Sequence, residues 1–484
     1  MVNYILKNGR GKIMKKRKTA TKVLALCIIM ALVSTMSLGC GTAKESDVPE
    51  TTATSVEQTP ENTGEVSTEA PAGLKEGITL RMWTFLDPTK TSGREKALKQ
   101  IIEDFEKDFK IKVVVEPQVW DVMTAKFFAA SNAGNAPDIQ WVNMDDMGTA
   151  VKQNTLEPFE NLFMKDWTPD QLANVQDSFW DYGSVDGKHY QMGFSRNYIG
   201  IIYREDLLKE AGYTAPFKSW DEFREAAQKL TIEKDPTTGI KRYAFGSGVS
   251  LDKSDPWFIS NMLLAKQGSL FGADGKAIWA NETGVGAVKL FTDMMKIDKT
   301  IPESVVTQSP EDVYKDFSSG KYAMINGGSV RIEKLQSDCV FDPKTIQIMP
   351  FPSFEDGKPS PSPITGWSVG VWAGGQNKQE AGKFVEYMFR PESDKLWVEV
   401  GGQVPMNKST VGLLKDYLAN PAKGYLTDTA SYFVNAAWAQ PTDFTLTGWR
   451  ADFNQAMQDI LTKNTDPMKA LQDAEKAFNE RNKR

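Results

Sequence analysis

Between residues 78 and 142 the apolar pattern changes period four times, and no other feature restricts the fold as much. Residues 78–83, Ile-Thr-Leu-Arg-Met-Trp, read as a strand. Residues 93–109 then carry Leu98, Ile101, Ile102, Phe105 and Phe109 on one stripe of an amphipathic helix. Residues 111–115 are a short continuous apolar run, as a buried parallel strand would be. Residues 120–131 are helical again, with Val122, Met123, Phe127 and Phe128. Residues 138–142 form a third strand after the breaker Pro137. Strand, helix, strand, helix, strand means βαβ units, hence a parallel sheet with helices on its faces. The predicted class is α/β.

The rest of the chain keeps this mixed character. Thr168-Pro169-Asp170-Gln171 and Ser219-Trp220-Asp221-Glu222 fit capping boxes, the first with Pro at the first helical position, and Ser309-Pro310-Glu311 opens a helix in the same manner. Strands are predicted at 198–203, 322–325 and 368–372, and helices at 378–389, 452–461 and 467–479. Gly284-Val285-Gly286 resembles part of a nucleotide loop, but no strand precedes it in the way such a loop requires, so it carries no weight.

The N-terminal stretch has a different logic. Its first 22 residues hold Lys7, Arg10, Lys12, Lys15, Lys16, Arg17, Lys18 and Lys22 with no acid, and an apolar run follows to Leu38. That run is short for a membrane span, which needs about 20 residues. It ends at Gly39-Cys40-Gly41, the order of a secretory signal. The ending resembles a lipoprotein lipobox, with Ser37 where an aliphatic residue is usual and Cys40 as the lipid-bearing first residue of the mature chain. Met14 precedes the basic cluster directly and is a candidate start. Residues 41–77 are mostly Thr, Glu, Pro, Ser, Ala and Gly. Such a stretch cannot bury enough surface to offset its ordering entropy, and reads as a disordered leash spanning about 35 Å. Beyond it lie roughly 400 residues, enough for two cores.

The net charge of −6 includes eight positive charges in the leader, so the mature chain is near −14. That argues against nucleic acid, which wants a basic face. With Cys27 in the leader and Cys40 lipidated, Cys339 stands alone, which leaves no internal disulfide. The single histidine, His189, excludes multi-His metal sites and sits in a turn opening a strand. No cofactor is called for. The chain has 13 Trp. Trp faces suit the apolar faces of sugar rings as well as cores.

Several segments in order resemble the extracellular solute-binding proteins of ABC importers, in the sugar-binding family that includes maltose-binding protein. They are ITLRMW (78–83), FEKDFKIKVVVE (105–116), NAPDIQWVN (135–143), IGIIYREDLLKEAGY (199–213), SWDEFREAAQKL (219–230), GKYAMINGG (320–328), WSVGVWAGGQNKQEAGKFVEYMF (367–389) and GQVPMNKS (402–409). The resemblance implies a two-lobed periplasmic-binding-protein-like α/β fold with interlobe hinge strands and a ligand cleft. By that pattern lobe one is 78–196 plus 370–436, and lobe two is 197–369 plus 437–484. The crossings fall near 196–199, 365–370 and 436–442. The implied partners are a sugar ligand and ABC permease subunits, for a monomer lipid-anchored outside the cytoplasmic membrane.

The resemblance also implies cleft residues. Trp83 closes the first strand, where lobe core is the competing role. Asn143 and Asp145 follow the third strand and match sugar hydroxyl contacts, although Asp145 and Asp146 equally suit a helix N-terminus. Asn197 stands at the first crossing. Trp257, Trp367 and Trp449 match ring-stacking positions, and Ser329 replaces an aromatic usual after Gly328. Arg450 fits an acidic ligand or a helix cap. The competing function is a secreted glycoside hydrolase using two carboxylates. A third keeps the fold but takes a peptide, polyamine or other polar metabolite.

Overall fold

A computed structural model describes residues 73–482 except 121, 144–145, 194–196, 252–255, 355–359, 421–422, 428, 430–431, 433–436, 439–440, 442–443, 445 and 447. The leader, Cys40, most of the expected leash, Asp145 and Arg196 lie outside the described residues. The leash ends sooner than predicted. Leu74 packs on the first core, the Lys75 N–H donates to Glu380 Oε1 (3.0 Å) and the Gly77 N–H to the Lys110 carbonyl (2.9 Å).

The described strands, in chain order, are β1 Thr79–Thr84, β2 Lys112–Pro117, β3 Ile139–Asn143, β4 Ser184–Val185, β5 Lys188–His189, β6 Met192–Gly193 and β7 Asn197–Arg204. They continue with β8 Tyr243–Gly246, β9 Tyr322–Gly328, β10 Ile346–Met349, β11 Ser362–Thr365, β12 Trp367–Val371 and β13 Ala437–Trp438. Strands β4 and β5 pair as a hairpin. The others form two sheets, ordered β2-β1-β3-β12-β6 and β13-β11-β7-β9-β8, with β10 on β7. In the first, β1 is parallel to both β2 and β3, the βαβ arrangement that the periodicity implied. The fold is two-lobed α/β.

Two cores lie against these sheets, and the first covers the first sheet and continues through Tyr198, Ile202, Tyr322 and Ile325 onto one face of the second. The helix Gly93–Phe109 buries Leu98, Ile101, Ile102 and Phe105, with the Phe105 ring 4.9 Å from Phe384. Each such buried side chain is worth about 1.5–3 kcal/mol relative to exposure. A capping box of Ser92 and Glu95 starts this helix, and Lys110 at φ 56° ends it. The second core gathers Phe245, Phe258, Trp257, Trp449 and Phe453 with Ile199, Ile201 and Met324 on the opposite face of the second sheet.

Some boundaries differ from expectation. Strand β2 is at the sheet edge with Val114 36% exposed, because only β1 flanks it; it is not a strand buried on both sides. The second helix begins at Met123, three residues late, which leaves Trp120 in a loop. Thr168 forms a full capping box. At Ser219 only half of it exists: the Ser219 hydroxyl accepts from the Glu222 N–H, while Glu222 Oε2 accepts from the Lys218 N–H.

Two crossings between the sheets run side by side. The chain leaves the first sheet at Gly193 and enters the second at Asn197; it returns from Thr365 through Gly366 to Trp367. Asn197 and Thr365 are register partners. Gly366 has φ 122°, a conformation open essentially to glycine. Trp367 is the register partner of Asn143, so β12 starts beside the carboxyl end of β3. The carboxyl ends of β1, β2 and β3 therefore look toward the crossings. So do those of β9 and β8, because Gly328 pairs with Ile199 and β8 is parallel to β9. Away from the crossings, Lys423 Nζ lies 2.6 Å from Glu333 Oε1 and ties the segment before β13 to the helix Ile332–Asp338.

Candidate functional site

Open α/β sheets bind ligands at the carboxyl ends of their strands. Here two such edges face one another, and most described candidates lie on them.

The first rim begins at Trp83, which is 9% exposed at the end of β1. Its indole N–H donates to Glu116 Oε2 at 2.7 Å, and Lys126 Nζ stands 5.4 Å from its ring centroid. Glu116 also accepts from Arg81 Nε (2.7 Å) and Nη2 (3.0 Å). The Arg81 hydrogen bond, helped by Trp83, holds the Glu116 carboxyl below its usual range against the effect of burial. Trp83 is thus oriented by a carboxylate that stays ionised through neutral pH. Beyond it, Phe85 meets Trp141 and Trp367 edge-on, with centroids 5.2 and 5.5 Å away. Trp367 is nearly buried, and Asn143 beside it is half-buried with its N–H donating to Thr124 Oγ1 (3.3 Å).

On the second rim, Asn197 and Ser329 serve the fold itself. The Ser329 hydroxyl accepts from the Tyr198 N–H (3.1 Å), and Asn197 Oδ1 accepts from the Val330 N–H (3.3 Å). Together they fasten β7 to the turn Ser329–Arg331 that follows β9. Gly328 is required there, since a Cβ would strike the Asn197 amide.

Two expected ring platforms are moved. Trp257 and Trp449 are 1% and 0% exposed, inside the second core, with centroids 5.2 Å apart. Both rings are closed in by aromatic neighbours, Trp449 by Phe271 and Trp279, so neither offers a face to a ligand ring. The physical reason is that their two helices pack inward on that sheet. Arg450 lies over both rings at 5.5 and 5.6 Å.

Two residues that the sequence reading did not single out also belong to these edges. Trp120, 57% exposed, follows β2 in the loop held by Gln118, whose N–H donates to the Thr84 carbonyl (2.8 Å). The late helix start is what frees it. Arg94 is at the second position of the helix Gly93–Phe109, its guanidinium carbon 5.9 Å from the Phe85 centroid. His189 is structural: its Nδ1 pairs with Glu160 Oε1 at 2.7 Å.

Comparison with known proteins agrees with this geometry. The galactooligosaccharide-binding protein of Bacillus subtilis is 24% identical over 82% of this chain and 88% of its own length. An ABC transporter solute-binding protein from Thermotoga lettingae, solved with α-D-tagatose, superposes with TM-score 0.68 at 23% identity, over 84% of this chain and 99% of that one. UgpB of Mycobacterium tuberculosis, solved with glycerophosphocholine, gives 0.69 at 18% identity, over 83% and 98%. The profile of the bacterial extracellular solute-binding proteins matches residues 90–395, more than half of the sequence, and the chain belongs to that family.

Proposed function

We propose that this protein is the extracellular, lipid-anchored capture subunit of an ABC importer, which holds a carbohydrate between its lobes and hands it to a permease. The observation that carries the reading is the facing of two strand-end edges across adjacent crossings, with Trp83, Trp120 and Trp367 on one of them. Indole faces suit the C–H faces of sugars, while Asn143 supplies polar groups for hydroxyls. The name of the Bacillus subtilis relative supports an oligosaccharide. Lobe one is 78–196 plus 370–436 and lobe two 197–369 plus 437–484, hinged at the crossings, with lipid on Cys40 and a monomeric mature chain. It performs no turnover: sugars leave as they arrive.

The test is a thermal-shift screen of the purified protein against mono- and oligosaccharides, followed by titration of each hit. A ligand at about 100 times its Kd adds about 2.7 kcal/mol of stability. Trp120→Ala is expected to weaken binding roughly tenfold, as loss of an aromatic anchor does. Its melting temperature should barely move, because exposed substitutions cost within about 0.5 kcal/mol. No response to any sugar, or shortened products after hours of incubation, would contradict the reading.

A further inference from the structure

The facing edges of the two sheets touch through Glu333. On the first edge, the loop 400–402 follows the helix Pro391–Glu399 and packs on the start of the helix Gly93–Phe109, where a Cβ on Gly93 would strike the Val400 carbonyl. On the second edge, the turn Ser329–Arg331 after β9 leads straight into the helix Ile332–Asp338. Glu333 stands in the first turn of that helix and reaches the first edge. A Cβ on Gly402 would lie 2.8 Å from Glu333 Oε2, and Gly402 has φ 65°, so both the space and the backbone there suit glycine. The other oxygen, Oε1, accepts from Lys423 Nζ at 2.6 Å. Lys423 stands 5.3 Å over the Tyr417 ring, and the Tyr417 hydroxyl donates to the carbonyl of Glu399 (3.2 Å), at the end of the helix before that same loop. Gly402 and Lys423 therefore belong to one side of the cleft and Glu333 to the other. Burial by itself would lower the Lys423 ammonium, but its bonds to Glu333 and Tyr417 outweigh it and the net direction is up, so Lys423 stays cationic. The Lys423 and Glu333 side chains are 20% and 33% exposed, so salt screens the pair less than it screens a surface pair. Arg331, two residues before Glu333, has its own counter-ion in Glu311 and does not compete.

We propose that Glu333 is a clasp between the lobes: its carboxylate, seated between Gly402 and Lys423, joins the facing edges away from the hinge and sets the affinity for the solute without touching it. This rests on the hinged-capture reading above and goes beyond it. A contact between facing edges is made when the lobes approach and broken when they part. A protein that binds only in its closed arrangement has an apparent Kd equal to the intrinsic one divided by the closed fraction. The clasp raises that fraction whatever the solute. Removing it therefore weakens every solute by one common factor, whereas removing a ligand contact discriminates among solutes. For a single, partly exposed ion pair that factor is about fivefold.

The experiment compares wild type with Glu333→Gln, Lys423→Met and the double variant. Small-angle scattering of the sugar-free protein reads the separation of the lobes, and calorimetric titration with galactotetraose and maltotetraose reads affinity. Each single variant should have a larger radius of gyration than wild type. Each should bind whichever tetraose wild type binds about fivefold more weakly, and both tetraoses by the same factor if both bind. The double variant should match the single ones, because either change breaks the same pair. The free variants should melt close to wild type, since the pair joins two lobes rather than filling a core. An unchanged radius, an unchanged or tighter affinity, additive losses in the double variant, or weakening of one bound tetraose and not the other overturns the clasp. If neither tetraose binds wild type, the carbohydrate reading loses support and scattering alone decides the clasp: a larger radius in both single variants upholds it, and an unchanged one overturns it.

Discussion

Trp257→Ala will lower the stability of the free protein by about 3–5 kcal/mol, the cost of truncating a large aromatic in a core. The ring is 1% exposed and packed at 5.2 Å against Trp449, so the change opens a cavity at the centre of the second core. Denaturant melts of the unliganded mutant and wild type measure it directly. A mutant that melts like wild type would mean that the ring faces solvent and the Trp257–Trp449 packing is wrong. Either result separates this residue from Trp120, whose removal should spare the melt.

Arg242→Ala will cost a similar amount, about 3–5 kcal/mol, because it strands a buried carboxylate. Arg242 and Asp235 form an ion pair with both side chains nearly inaccessible. Arg242 Nε also donates to the Leu230 carbonyl at 3.1 Å, which ties β8 to the end of the helix Trp220–Leu230. Burial by itself would raise the Asp235 carboxyl, but N–H groups of Thr238 and Thr237 and the charge of Arg242 outweigh it and the net direction is down. A carboxyl lowered on folding contributes stability that is full above its unfolded value, about 3.9 for Asp. That contribution is lost as pH falls through the folded value. The gap between wild type and Arg242→Ala should therefore be widest near neutral pH and narrow below about pH 4. A gap that widens in acid would contradict the assignment.

The helix Gly93–Phe109 was readable residue by residue, because one stripe of five apolar side chains fixes both its extent and its buried face. The parallel pairing of β1 with β2 and β3 followed from the connecting helices. What stayed illegible depends on partners distant in the chain. Trp257 follows a proline at a helix start, and nothing local shows that it meets Trp449, whose ring is 5.2 Å away. Ser329 and Asn197 read as ligand contacts, yet each satisfies a backbone N–H of the neighbouring element, across separations of 131 and 133 residues. The edge position of β2 is a matter of sheet order, which periodicity does not encode. Trp120 looked helical because Val122 and Met123 continue a helical stripe, and only the observed helix start sets it free.

Hydrogen–deuterium exchange of the protein with and without a saturating ligand tests the central claim most directly. A solute held between the two edges must slow exchange on both at once, in the loops after β1 and β2, at the start of β12 and in the turn Ser329–Arg331 after β9. Protection on both edges, with little change on the outer helices, is the result this account predicts. Protection confined to one sheet, or spread away from the strand ends, would contradict it.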